Sequence, residues 1–326
     1  MQPFSLDHAL ASGPFETQTR LTQIAMAVPV EGMIADMVCP RVRTAYKFTY
    51  FKHTTADRLT IPDVRASRAG ELNEAEFGGT DETDSTAPYG LIAPVPHRDI
   101  EEARAQQVPF DPLANATTML ASLVKLGREK RVVDLVFGAS NYAAGMQATL
   151  AGDMQWSHKD SDPLAAIMDA MDSFLVRPNM LVLGRPVWTK LRRHPKIVEA
   201  VKATGAGGIT ASGVVGRQAV ADLFEIGEIL VGETWANMAA KGQAPDYARL
   251  WGKHAALLHI EKSLGGAGDQ RPTFCFTADA MPMMTGTYDA PGRGVGTGST
   301  VVKVSEECKE LSSWQDVGYF FQNAVG

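Results

Sequence analysis

At 326 residues the chain can bury a substantial core in one large domain or two, and 45% hydrophobic with 21% charged residues is ordinary for a folded protein in water. No apolar run approaches the roughly 20 residues of a bilayer-spanning helix, and Cys39, Cys275 and Cys308 are too scattered for a disulfide framework and fit a reducing compartment. A formal net charge of -6 argues against a chain that grips nucleic acid through its phosphates, which usually needs a basic excess.

Residues 1–20 read as an arm: Gly13-Pro14 and scattered Ser and Thr offer no repeating apolar face, and Met1 to Ser12 lacks the pattern of a signal peptide. Ile24, Ala25, Val28, Ile34, Val38 and Val42 begin a core, broken into short pieces by Pro29 and Pro40. From Thr44 to His53, Tyr46, Phe48 and Tyr50 alternate with Lys47 and Thr49, the period of a strand with one aromatic face. Residues 52–86 are polar and carry Arg58, Arg65, Arg68, Glu71, Glu74, Glu76, Asp81, Glu82 and Asp84. Apolar residues return from Tyr89 to Val95, where Pro88, Pro94 and Pro96 disfavour a central strand. The expectation is two strand-like limbs with a long charged excursion between them. Such lengths are uncommon in compact domains unless functional or disordered.

The strongest helix starts after Asp111, an N-cap followed by Pro112 at the first helical position. Its face, Leu113, Ala116, Leu120, Leu123 and Val124, continues through Val136, for a length of roughly 40 Å at 1.5 Å per residue. Helix and strand then alternate: a helix from Pro163 capped by Asp162, a buried strand Asn179 to Leu183, helices around Pro195, and a Gly-rich loop Thr204 to Val214. A helix Gln218 to Phe224, a strand Glu228 to Val231, and strands Tyr247 to Ile260 and Pro272 to Thr277 follow. After a second Gly-rich stretch, Pro291 to Ser299, come terminal strands Thr300 to Val304 and Gly318 to Phe321.

No catalytic motif withstands inspection. Neither Gly-rich segment ends in the Lys-Ser or Lys-Thr of a phosphate-binding loop, and neither stands between a strand and a helix as a dinucleotide fingerprint must. No histidine pair has zinc-protease spacing, Cys275 lies between Phe274 and Phe276 as a buried thiol would, and no Gly-x-Ser-x-Gly frame occurs. The basic run Lys190, Arg192, Arg193, His194, Lys196 reads as a solvated helix face. Trp188, Trp235 and Trp251 follow the apolar pattern and are expected to pack. No cofactor, metal or catalytic residue is assigned.

Several ordered segments carry a resemblance: Ile34-Ala35-Asp36-Met37-Val38-Cys39-Pro40-Arg41-Val42, Asp111-Pro112-Leu113, Trp156-Ser157 through Asp162-Pro163, and Pro178-Asn179-Met180 through Trp188. Further on come Leu223-Phe224-Glu225-Ile226, Leu230-Val231-Gly232-Glu233, Leu250-Trp251-Gly252-Lys253-His254 and Asp316-Val317-Gly318-Tyr319-Phe320-Phe321. With the order of elements, they resemble the major capsid proteins of tailed bacteriophages. The resemblance implies an α+β chain of the Hong Kong 97-like capsid fold, with N-terminal arm, extended β-hairpin loop, peripheral domain with a long spine helix, and axial domain. On this chain the parts fall at 1–44 (arm and first peripheral segment), 45–97 (extended loop), 98–160 (peripheral domain, spine helix 112–137), 161–290 (axial domain) and 291–326 (C-terminal peripheral strands).

The implied function is a shell of pentamers and hexamers enclosing double-stranded DNA without sequence-specific binding, found in the virion and assembled in the host bacterial cytoplasm. The implied partners are other copies of the chain, a portal protein, a separate scaffolding protein and an optional decoration protein, with no membrane. Candidate subunit-contact residues are Tyr46, Phe48, Tyr50, Arg58, Arg65, Arg68, Glu71 and Glu74 of the loop, and Gly205, Gly207 and Gly208 near the ring centre. Two alternatives stay open: a cellular nanocompartment shell of the same fold, and a soluble α/β enzyme using a Gly-rich loop.

Overall fold

The computed structural model describes residues 16–28, 32–52, 61, 65, 80–106, 110–203, 213–240, 242–293 and 298–326. Its elements, in chain order, begin with β1 (Glu16–Thr17), α1 (Thr19–Ala27), α2 (Ala35–Val38), β2 (Arg41–Arg43), β3 (Lys47–Lys52), β4 (Thr80–Ser85), β5 (Ala87–Pro96), α3 (His97–Ala105) and α4 (Pro112–Val136). Then come β6 (Gln147–Thr149), α5 (Pro163–Asp172), β7 (Met180–Gly184), α6 (Arg185–Leu191), α7 (Pro195–Ala203), α8 (Arg217–Phe224), β8 (Glu228–Gly232), β9 (Trp235–Asn237) and β10 (Tyr247–Arg249). The chain ends with β11 (Ala255–Leu258), β12 (Cys275–Ala290), β13 (Ser299–Ser312) and β14 (Gly318–Gln322). The chain divides into a first unit (Met1–Met33, Thr86–Lys130, Asp279–Lys309) and a second (Ile34–Ser85, Arg131–Ala278, Glu310–Gly326).

In the first unit the strand order is β1-β12-β13-β5. The prolines of β5 are tolerated because, among the described residues, it is an edge strand, paired with β13 from Ala87↔Cys308 to Pro96↔Ser299. The core joins Ala25 and Val28, Val95, Leu120, Ala121 and Val124, Met283, Val302 and Val304. The Lys125 ammonium donates to the Met26 and Val28 carbonyls at 3.1 and 3.0 Å, placing a cation where helix α1 leaves carbonyls unpaired. Asp111 caps α4 as expected, its Oδ1 accepting from the Leu113 and Ala114 amides at 3.0 and 3.3 Å. The expected apolar face of α4 needs one correction. Leu120 and Val124 are buried, but Leu123 is 53% exposed.

The second unit is built on a sheet of order β6-β14-β11-β7-β8. β7 and β8 run parallel, and β11 lies antiparallel between β7 and β14. Every residue of β7 is buried. That fits a sheet covered on both faces. Alternate residues divide between two cores. Leu181, Leu183, Ile229, Val231, Leu257 and Phe321 pack with helical residues such as Ile167, Trp188, Ile197 and Phe224. Met180, Val182, Leu230, Ala256, Leu258 and Phe320 pack with Val132, Val133 and Val136 of α4 and with Ile34 and Val38. The Tyr142 hydroxyl donates to the Val136 carbonyl at 2.6 Å and Asn141 Nδ2 to Leu135 at 2.7 Å, which satisfies the last turn of α4.

The terminal strand is the main departure from expectation. The resemblance groups Gly318 to Phe321 with the peripheral strands and the Leu120–Val124 stretch of the spine helix. Instead β14 is an inner strand of the second unit's sheet, between β11 and β6. The reason is that Phe320 and Phe321 point to opposite faces of a strand, and this sheet supplies an apolar layer on each. Likewise the expected strand Tyr247 to Ile260 is two strands, broken where Trp251 is fully buried and Gly252 takes φ +36°.

Gly184 and Gly232, paired in parallel register, mark where Trp251 crosses the end of the sheet. A Cβ on Gly232 would fall within the Trp251 ring. Overpacking a rigid core costs typically 1–3 kcal/mol, and a direct ring overlap belongs at the top of that range. Gly232→Ala is therefore expected to lower stability by about 3 kcal/mol, read as a shift of the urea midpoint. An unchanged midpoint would show that the Trp251 ring moves freely.

Candidate assembly interface

The expected two-limbed excursion is a hairpin, but its return limb is not Tyr89 to Val95. β3 pairs with β4 in the register Lys47↔Ser85, Phe48↔Asp84, Thr49↔Thr83, Tyr50↔Glu82, Phe51↔Asp81 and Lys52↔Thr80. Phe48 and Tyr50 are 7% and 8% exposed and pack with Val42, Phe276, Ala278 and Leu311. They anchor the stem inside their own unit, which corrects their assignment to a subunit contact surface. Tyr46 is 59% exposed, and Arg65 is exposed. Arg58, Arg68, Glu71 and Glu74 lie outside the described residues, as do Gly205, Gly207 and Gly208.

Cross-strand chemistry holds the acidic limb in place. The Tyr50 hydroxyl donates to Glu82 Oε2 at 2.6 Å, Lys52 Nζ donates to Oε1 at 3.3 Å, and the Thr49 and Thr83 hydroxyls meet at 3.2 Å. Burial, then the hydrogen bond to Glu82, pushes the Tyr50 phenol far above its usual range. The same bond, with the Lys52 ammonium, lowers the Glu82 carboxyl below its ordinary 4.5. A depressed carboxyl contributes its full share above its unfolded pKa and loses it as pH falls through the folded one. The stem is therefore firm at neutral pH and loosens in acid. Its outer strand carries Asp81, Glu82 and Asp84, charges that discourage non-specific strand pairing.

A second candidate surface escaped the sequence reading. Trp188 and Trp251 are buried as expected, but Trp235 is 53% exposed. β9 and β10 form a two-stranded ribbon with Trp235↔Arg249 and Tyr247↔Asn237, which sets Trp235 and Tyr247 on one face. Tyr247 is 68% exposed and Met238, just past the ribbon, 51%. The Arg249 guanidinium stacks 4.4 Å from the Trp235 ring centroid and donates to the Glu233 carbonyl at 3.1 Å. The Glu233 carboxylate accepts from Arg185 and Arg217, so the base of the ribbon is tied to α6 and α8. Exposed Trp and Tyr beside Arg are the residue types that anchor protein interfaces. Nothing in the sequence set Trp235 apart from Trp188 and Trp251.

These surfaces belong to a recognisable kind of chain. A family model described as phage major capsid protein E matches residues 141–247. A major capsid protein of Pseudomonas phage JBD67 is 40% identical over 319 residues, 97% of this chain and 99% of that protein. A phage-related protein of Bordetella bronchiseptica RB50 superposes with a TM-score of 0.73 at 21% identity, covering 96% of this chain and 98% of that one. The capsid structure of the cyanophage P-SCSP1u gives 0.56 at 10% identity, covering 87% and 86%. The α+β architecture is the Hong Kong 97-like capsid fold. On identity that spans nearly the whole length of a capsid relative, the chain belongs to the phage major capsid protein family.

Proposed function

We propose that the chain builds the icosahedral head of a tailed phage by self-association into pentamers and hexamers around double-stranded DNA. The observation that carries this reading is the hairpin. The stem is anchored in its own unit, and the sequence joining Lys52 to Thr80 is a polar stretch with too little apolar surface to fold alone. Laid on another copy, Arg58, Arg65 and Arg68 have carboxylates to meet. Single exposed ion pairs are worth about 0–1 kcal/mol, but closed rings repeat each one many times.

On this reading the second unit's sheet and its covering helices form the axial domain, extended beyond residues 161–290 to include β6 and β14. The loop holding Gly205, Gly207 and Gly208 meets its copies at ring centres. The role is structural and not catalytic, with assembly in the host cytoplasm on a separate scaffolding protein, around a portal, with or without a decoration protein. Electron microscopy of the chain produced with its scaffold tests this. Closed shells of uniform diameter are expected. A soluble monomer that saturably binds and turns over a small molecule would overturn it.

The aromatic ribbon makes a separate prediction. Trp235→Ala with Tyr247→Ala is expected to leave the melting temperature unchanged, since both side chains are exposed. Loss of an aromatic anchor costs about 2 kcal/mol per contact, about 30-fold in affinity. The concentration needed for assembly, followed by light scattering, should rise accordingly. Assembly at the unaltered concentration would remove the ribbon from the interface.

A further inference from the structure

We propose that a hollow between α6 and the turn after Trp156 binds a phosphate group. The hollow has a volume of about 330 Å³, and it is lined by Trp156, Ser157, His158, Lys159, Thr189, Lys190, Arg193, His194 and Pro195. In sequence the basic run Lys190 to Lys196 read as a solvated helix face. The fold changes its meaning by bringing Lys159 from a distant turn to the same concavity as Lys190 and Arg193.

No carboxylate lines the hollow. Nearby acids reach His158 and Lys159 at the edge of the hollow but not Lys190 or Arg193. Asp153 and Asp160 lie 3.5 and 3.9 Å from the His158 ring, Lys159 is a marginal 4.0 Å from Asp160, and Asp162 holds Lys196 at 2.5 Å. Among the described residues, neither Lys190 nor Arg193 has an acidic partner. Lys190 and Arg193, held in one concavity without an acidic partner among the described residues, repel one another, and a bound anion relieves that repulsion.

One further feature points the same way. Trp156, which lines the hollow, is 1% exposed, and its Nε1 has no hydrogen-bond partner. An indole N–H can only donate, so it suits an acceptor oxygen. His194 lines the hollow but offers the anion nothing: its Nε2 lies 3.2 Å from the His158 carbonyl, which can only accept, so Nε2 carries the proton and Nδ1 is itself an acceptor. Ser157 Oγ accepts from the Gly326 amide at 3.1 Å, which leaves its own O–H to donate. Phosphate fits this set better than a lone carboxylate. It offers more acceptor oxygens and more charge, and it matches both the guanidinium fork and the lysine point charges.

The phosphate can be a free ion or part of a nucleic-acid backbone, and one experiment separates these. The full-length chain is titrated with inorganic phosphate and, separately, with a short DNA duplex, by calorimetry at low salt. Lys190→Ala with Arg193→Ala is compared with Lys202→Ala with Lys253→Ala, which removes the same charge from exposed positions elsewhere. Circular dichroism confirms that both variants fold. Saturable phosphate binding is expected, about tenfold weaker in the first variant and unchanged in the second. A parallel loss of duplex binding in the first variant assigns the group to DNA, and its absence assigns a free ion. Absent phosphate binding, equal weakening in both variants, or preference for a polyglutamate peptide over phosphate would overturn the proposal.

Discussion

Removal of Gly318–Gly326 is expected to yield insoluble or unfolded protein. The segment contains β14, which pairs with β11 on one side and β6 on the other, so its loss splits the sheet of the second unit. Phe320 and Phe321 are each 1% exposed. Phe320 stacks on Tyr142 and Phe137 with centroids at 5.4 and 5.8 Å, whereas Phe321 meets Trp156 at 5.1 Å on the opposite face. Beyond the strand, Ala324 and Val325 are also buried, and the Trp156 amide donates to the Ala324 carbonyl at 2.7 Å. Truncating one buried Phe to Ala costs about 3–5 kcal/mol, against a typical domain stability of about 5–15. Losing both rings and two strand pairings exceeds what such a unit holds in reserve. Phe320→Ala alone should lower the thermal midpoint clearly while leaving soluble protein. Loss of Met1 to Ser12, outside the described residues, is expected to leave the protomer folded. A soluble, cooperatively melting C-terminal truncation with an unchanged midpoint would show that β14 contributes nothing to the core.

The same strand shows where sequence reasoning ends. Gly-Tyr-Phe-Phe-Gln is legible as a strand, because aromatic residues favour one. Its neighbours β11 and β6 lie far away in sequence, and no local pattern names them. Helix starts were legible because a cap is local chemistry: Asp111-Pro112 and Asp162-Pro163 both open helices, with the Asp162 carboxylate accepting from the Ala165 amide at 3.1 Å. β7 was legible because Met-Leu-Val-Leu can only be buried. α3 was not, since His97–Ala105 buries no residue and shows no apolar stripe. β4 was hidden more deeply. Thr-Asp-Glu-Thr-Asp-Ser has poor strand propensity, and it is a strand because Tyr50, Lys52 and Thr49 on β3 bond across to it. Of the proposed contact residues, Phe48 and Tyr50 were right as a strand face and wrong as a surface. Alternation reveals which residues share a face, but not whether that face meets its own chain or another.

The hairpin prediction follows from this correction. An excision of residues 56–84, natural if the whole charged stretch were a loop, would remove β4. It would also strip Tyr50 of the Glu82 acceptor that its half-buried hydroxyl needs. The discriminating variant keeps the stem and replaces residues 53–79 with Asn-Gly. Lys52 and Thr80 are the last register pair, and a two-residue Asn-Gly turn closes an antiparallel pair with the twist the strands require. Phe48 and Tyr50 still pack on Phe276 and Leu311, so the protomer should melt at or above its original temperature. The shorter loop has less closure entropy to overcome, and each halving of loop length is worth about 0.6 kcal/mol. Assembly should fail, because every copy loses the segment that would reach its neighbour, and weak contacts hold a closed shell only when all are repeated. Electron microscopy and sedimentation should then find protomers or isolated rings and no closed particles. Normal shells from this folded variant would show that residues 53–79 are dispensable and that the contacts holding the shell lie elsewhere, with the Trp235 ribbon the first place to look.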